Sequence, residues 1–226
     1  MKRLHSDLDV TLEPEGPARA AVIWLHGLGA DGNDFVPLIP ELDLPRDGAI
    51  RFVFPHAPVR PVTLNGGLPM RAWYDIAGLS AEPKQDDAGI RASQQRVLGY
   101  IAAQREAGLA DARIVLAGFS QGGAIALHTG LRLEAPIAGL IALSSYLPLL
   151  ETLATEATVA GQATPVFIAH GRHDPIVPYA WGESTAQGLA ERGYDVRWHR
   201  YAMAHEVCEE EIADIGVFLR ERLLAR

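Results

Sequence analysis

Cysteine is nearly absent from this chain of 226 residues, with only Cys208 present. That excludes an internal disulfide framework and any zinc site built from several cysteines, and it fits a reducing compartment. Runs of basic residues are missing too. Lys and Arg number 20 against 28 Asp and Glu, a formal net charge of −8, so phosphates and anionic membrane surfaces would repel the chain and nucleic acid is not expected as a partner. Nor is a targeting segment expected. Lys2 and Arg3 could open a signal peptide, but His5, Ser6, Asp7 and Asp9 stand where its apolar stretch would follow, so a cytoplasmic protein is expected. Internal repeats, low-complexity tracts and Gly/Ser linkers do not occur. The balance of 48% hydrophobic and 21% charged residues fits a globular protein and fits disordered, collagen-like and membrane-spanning classes poorly.

What the chain does contain is a series of short apolar runs with helix-length segments between them. The runs are 20–26, 50–54, 114–117, 139–143, 165–169 and the alternating 196–201. Near-continuous apolar runs indicate strands covered on both faces, as in a parallel sheet flanked by helices. Segments 86–107 and 122–133, and a last one carrying Cys208, Ile212, Ile215, Phe218 and Leu219, have helical spacing. Strand alternating with helix predicts an α/β fold with a mostly parallel central sheet, and one domain over 1–226. Between Pro55 and Pro83 lies an irregular, proline-rich stretch, expected to hold a short strand or hairpin around Val62 to Trp73.

Gly118-Phe-Ser-Gln-Gly122 matches G-x-S-x-G and stands between an apolar run and a helical segment, the context of a nucleophile elbow. With 22 Gly and 7 Ser in the chain, roughly 0.07 such matches are expected by chance. The competing explanation is a Gly-rich helix entry with Ser120 as its N-cap. A nucleophilic serine needs a base and an orienting acid, in the order Ser, Asp/Glu, His. Asp174 and His205 follow at separations of 54 and 31 residues, each just past the carboxyl end of a predicted strand. Asp195 is the competing acid, but it stands at the start of a strand. His128 and His199, within a helix and a strand, are expected to pack. His170 and His173 resemble a two-ligand metal pair without further ligands at metal-site spacing. An oxyanion hole requires two backbone N–H groups, for which the N–H of Gln121 and that of Leu28, in the glycine-rich loop 26–34, are the candidates. The same loop formally fits G-x-G-x-x-G, but Asp31 and Asp34 would face the phosphates.

These residues resemble the phospholipase/carboxylesterase group of α/β-hydrolases, which includes small bacterial carboxylesterases and acyl-protein thioesterases. The resemblance runs through Leu25 to Phe35, Phe54-Pro-His-Ala-Pro58, Met70-Arg-Ala-Trp-Tyr-Asp75, Ala117 to Gly123, Leu143-Ser-Ser-Tyr-Leu-Pro148 and His170 to Pro178. It implies Ser120 as nucleophile, Asp174 as acid, His205 as base and Leu28 with Gln121 as oxyanion donors. It also implies that Trp73 and its neighbours line the acyl pocket, for which Leu64, Leu68 and Leu147 are further candidates, and that a homodimer can form. One departure is Ala204, where the family usually has glycine before the histidine. If that position needs positive φ, the loop is strained by roughly 1–2 kcal/mol. The expected activity is hydrolysis of short to medium acyl esters through an acyl-enzyme, without metal or organic cofactor, at an open site with no large cap. The alternatives are an acyl-protein thioesterase or lysophospholipase and, more distantly, a non-catalytic binding module on a hydrolase scaffold. Ester or thioester small molecules are the expected partners.

Overall fold

A computed structural model describes residues 1–78 and 85–224. The end of the irregular stretch, including Pro83, and the last two residues of the expected domain lie outside the described residues. The chain builds β1 (Lys2–His5), β2 (Asp9–Glu13), β3 (Ala20–Leu25), β4 (Ile50–Pro55), β5 (Val59–Pro61) and β6 (Pro69–Arg71), then α1 (Asp87–Glu106), β7 (Ile114–Phe119), α2 (Gln121–Gly130) and β8 (Gly139–Leu143). Two single-turn helices, α3 (Leu153–Glu156) and α4 (Val159–Gln162), precede β9 (Val166–Gly171), α5 (Tyr179–Glu191), β10 (Val196–Tyr201) and α6 (Glu209–Leu223). Eight strands form one sheet in the order β1-β2-β4-β3-β7-β8-β9-β10. The pairs β1–β2 and β2–β4 are antiparallel and the rest parallel.

The central strands β3, β7, β8 and β9 are almost wholly apolar because successive residues point to opposite faces and both faces are covered. On one face Ile23, Leu25, Leu116, Leu140 and Ile168 pack with Ile90, Val97 and Ile101 of α1, Ile125 of α2 and Leu189 of α5. The other face puts Val22, Trp24, Val115, Ile141 and Phe167 against Ile215, Phe218 and Leu219 of α6 and the 36–42 turn. Both faces of these central strands are dry, so each fully buried Val, Leu, Ile or Phe side chain there is worth roughly 1.5–3 kcal/mol.

Three elements depart from the sequence expectation. β1 and β2 were not anticipated, because β1 is exposed along its whole length and β2 buries only Val10 and Leu12. α5 was also missed: it buries Gly182, Thr185, Ala186 and Leu189, a face too small-residue-rich to show an apolar stripe. The hairpin in the irregular stretch starts three residues earlier than expected, with Val59 paired to Arg71 and Pro61 to Pro69. Cys208 lies outside the last helix as its N-cap residue and is not part of the buried stripe.

The parallel strands bring their carboxyl ends to one edge of the sheet. Leu25 is in register with Gly118, and Gly118 with Ala142. The loops after β3, β7, β9 and β10 therefore meet there, the place where ligands bind in open α/β sheets.

Candidate active site

Ser120 is the hinge between β7 and α2, with φ 53° and ψ −120°. A non-glycine residue in that region costs roughly 1–3 kcal/mol and persists only where its surroundings over-determine it. Here they do. Its N–H donates to the Leu143 carbonyl at 2.8 Å, and its carbonyl accepts from the Ala124 N–H at 3.1 Å and the Ser145 hydroxyl at 2.7 Å. Close approach is the second requirement: a Cβ on Gly118 would overlap the Gly122 carbonyl, and one on Gly122 the Leu25 carbonyl. The Ser120 hydroxyl consequently projects over the sheet edge.

His205 comes from the loop between β10 and α6. Its Nε2 lies 3.0 Å from Ser120 Oγ and its Nδ1 2.7 Å from Asp174 Oδ2. A carboxylate can only accept, so Nδ1 carries the proton and Nε2 is free to accept from the serine. Asp174 has a fully buried side chain. Its Oδ1 accepts the N–H groups of Ile176 and Val177 at 2.8 and 2.9 Å, which fixes the carboxylate plane. His170 Nε2 is 2.9 Å from the Val177 carbonyl and 3.3 Å from Asp174 Oδ2. Burial lowers its pKa, so it is a neutral donor behind the acid, while His173 is exposed. The two histidines do not converge as a metal pair. His128 is buried in α2, and His199 packs its ring on Phe167 at 4.6 Å. Asp195 is exposed at the start of β10, where its carbonyl accepts from the Val166 N–H, at the opposite end of the sheet from Ser120.

The strain expected at Ala204 is absent, because Ala204 is not among the residues with positive φ. The loop is accommodated elsewhere. A Cβ on Gly171 would overlap the carbonyls of Ala204 and Met203, and the N–H groups of Arg172 and His173 donate to Tyr201 and Met203 at 2.9 and 3.1 Å.

Leu28 and Gln121 both border the cavity in which Ser120 and His205 lie. Among the described residues neither N–H has an acceptor within the protein, and that of Gln121 is one of the orphan donors at the start of α2. His26 is buried, and burial lowers its pKa to about 4. Its Nε2 accepts the Ala57 N–H at 3.0 Å, which leaves Nδ1–H to donate to the Gly27 carbonyl at 2.6 Å. In a trans peptide the carbonyl and N–H point oppositely. Holding the Gly27 oxygen therefore turns the Leu28 N–H away from His26.

The cavity has a volume of about 310 Å³ and a wall of Leu64, Tyr74, Ile76, Tyr146, Val177 and Trp181, a size and character suited to an apolar chain. Tyr74 and Tyr146 join hydroxyls at 3.1 Å, and the Trp181 ring meets Tyr146 edge-on at 5.3 Å. Of the four expected pocket residues, only Leu64 lines it. Leu68 is 63% exposed beyond the hairpin turn. Trp73 is 1% exposed, because its indole N–H, once buried, requires a partner and finds the His26 carbonyl at 2.9 Å. Leu147 is 5% exposed, drawn into the core as its N–H donates to Thr185 of α5 at 3.1 Å. Tyr74, a neighbour of Trp73, does line it, but Ile76, Tyr146, Val177 and Trp181 were missed because the wall is assembled from separate loops and the first turn of α5. Across Phe119 and His205 lies a second depression of about 410 Å³, bordered by Asp34, Glu41 and Glu206.

The sequence profile of the phospholipase/carboxylesterase family matches residues 7–223. The chain belongs to this family. It is similar to acyl-protein thioesterase 1 of Mycosarcoma maydis, 39% identical over 224 residues that cover 92% of each chain. With acyl-protein thioesterase 1 of Neurospora crassa it shares 41% identity over 213 residues, 90% of this chain and 87% of the relative. Among solved structures, acyl-protein thioesterase 2 of Zea mays superposes with a TM-score of 0.84 at 29% identity, covering 95% of this chain and 98% of that one. Esterase PE8 gives 0.80 at 32% identity, covering 94% and 97%. This member of the phospholipase/carboxylesterase family has the α/β-hydrolase fold, with no large cap domain among the described residues, and is a hydrolase of the esterase/thioesterase class.

Proposed function

We propose that the protein is a serine hydrolase of acyl thioesters, of the acyl-protein thioesterase type, and that residues 1–226 form one domain around the continuous sheet. Ser120 Oγ attacks the acyl carbonyl while His205 Nε2 takes its proton, and Asp174 stabilises the imidazolium. The oxyanion accepts from the N–H groups of Leu28 and Gln121. As the tetrahedral intermediate collapses, the thiolate leaves and takes the proton from His205. Water, deprotonated by the same imidazole, then attacks the acyl-Ser120 and releases the carboxylic acid and the free serine. No step calls on a metal or an organic cofactor.

The observation that carries this reading is the Ser120–His205–Asp174 chain at 3.0 and 2.7 Å, opening on an apolar cavity. The names of the relatives favour a thioester substrate over the short esters expected from the sequence. The test is a series of acyl thioesters and matched oxygen esters of increasing chain length. A rate that rises with chain length, and is higher for thioesters, is expected. A flat profile, or a preference for short esters, contradicts the thioester reading. In Ser120→Ala the turnover falls by on the order of 10⁶, and activity close to that of the unmodified protein removes Ser120 as the nucleophile.

A further inference from the structure

Two oxyanion donors from separate segments must converge on one oxygen, and an error of about 1 Å can cost on the order of 100-fold in rate. Leu28 follows β3 and Gln121 opens α2, so some part of the protein has to hold the two segments at a fixed separation. Two of the three polar groups of Trp73 are spent there, and the third anchors it to α1. Its main-chain N–H donates to the Gln121 side-chain oxygen at 2.7 Å, and its indole N–H donates to the His26 carbonyl at 2.9 Å. Its carbonyl accepts the Ser93 hydroxyl. The same Gln121 amide reaches one residue further and donates to the Tyr74 carbonyl at 2.8 Å, which makes a two-point clamp. The indole also lies against the His26 ring at 5.4 Å, the ring that fixes the Gly27–Leu28 peptide. One residue thus ties the side chain of one donor residue to the main chain that leads into the other.

We propose that Trp73 is the positioning residue of the oxyanion hole, a strut between the Leu28 and Gln121 segments and not a wall of the acyl pocket. This rests on the reading of Ser120 as nucleophile. A strut acts on the oxyanion, which exists only after attack, so its loss lowers kcat and leaves ground-state binding alone. A pocket wall would raise KM instead, and more steeply for longer chains.

The test compares the wild type with Trp73→Phe, which keeps an aromatic ring, though a smaller one, and both main-chain bonds but loses the indole donor. A second variant carries benzothienylalanine at position 73, which replaces the N–H by sulfur at nearly equal volume and serves if the phenylalanine protein does not fold. The expected result is a kcat lowered at least about 10-fold with KM within about twofold. The affinity for an acyl trifluoromethyl ketone, whose adduct places an oxyanion in the hole, falls by the same factor. Unchanged kcat and ketone affinity overturn the assignment, as does a KM that grows with chain length. Wild-type protein is labelled in parallel with a fluorophosphonate. Labelling at Ser120 together with normal turnover of both variants leaves the nucleophile reading standing and removes Trp73 alone. Failure of the wild type to label at Ser120 removes both.

Discussion

At the scale of single residues, Ser120 and Ala204 show opposite answers to the same question. Ser120 occupies a strained conformation because three hydrogen bonds and two flanking glycines hold it there. Ala204 stands where the family pattern has glycine, yet its φ is not positive. Ala204→Gly is therefore expected to leave kcat/KM within about twofold and to lower stability by roughly 0.4–1 kcal/mol, through the entropy of the unfolded chain. Steady-state kinetics and thermal unfolding check both parts, and a gain of tenfold in activity would mean that the alanine loop is strained after all. The candidate residues picked out by their order along the chain were legible as a group in the sequence. Ser120, Asp174 and His205 stand at the carboxyl ends of readable strands, and the structure brings them within hydrogen-bonding distance. Trp73, His26 and His170 were not legible in their structural roles, because each is defined by partners that the sequence does not place beside it. Burial of an indole or imidazole leaves no signature in spacing. The aromatic at position 73 was expected as pocket lining from the resemblance, and the structure buries it beside the pocket instead.

Among the elements, the central strands were legible because both of their faces are dry, and the edge strand β1 was not because neither face is. α6 was legible from Ile215, Phe218 and Leu219, but its first turn holds something the pattern does not show. Glu211 is fully buried, and neither carboxylate oxygen has a partner among the described residues. Burial, with the Asp214 carboxylate adding to it, pushes its pKa up from 4.5 to about 8. The folded protein then keeps a proton that the unfolded chain releases. The stability this provides is fully present below about pH 4.5 and is lost as pH rises to about 8. Glu211→Gln, which is neutral at every pH, is expected to unfold near the wild-type temperature at the acid end of that window and at a higher temperature than wild type at its alkaline end. Thermal unfolding across the window checks this, and a constant difference between the two proteins would place the titration elsewhere.

For the molecule as a whole, no large cap stands over the apolar cavity among the described residues. The charge of −8 bears on which partners approach fast. Hydrolysis of a neutral ester should be insensitive to ionic strength. For a cationic acyl-peptide thioester, kcat/KM should fall as salt rises from roughly 0.01 to 1 M, over which the Debye length shrinks from roughly 30 to 3 Å. Stopped-assay rates along such a salt series check this, and equal slopes for the two substrates would show that the protein's field plays no part in capture. In the proposed reaction the acyl group passes through Ser120. Intact-mass spectrometry of the protein quenched in acid during turnover of a slow thioester, followed by peptide mapping, tests it most directly. One acyl mass is expected on the peptide containing Gly118 to Gly122, and none in Ser120→Ala. Steady hydrolysis with no adduct on the wild type, or an adduct that persists in the variant, would contradict it.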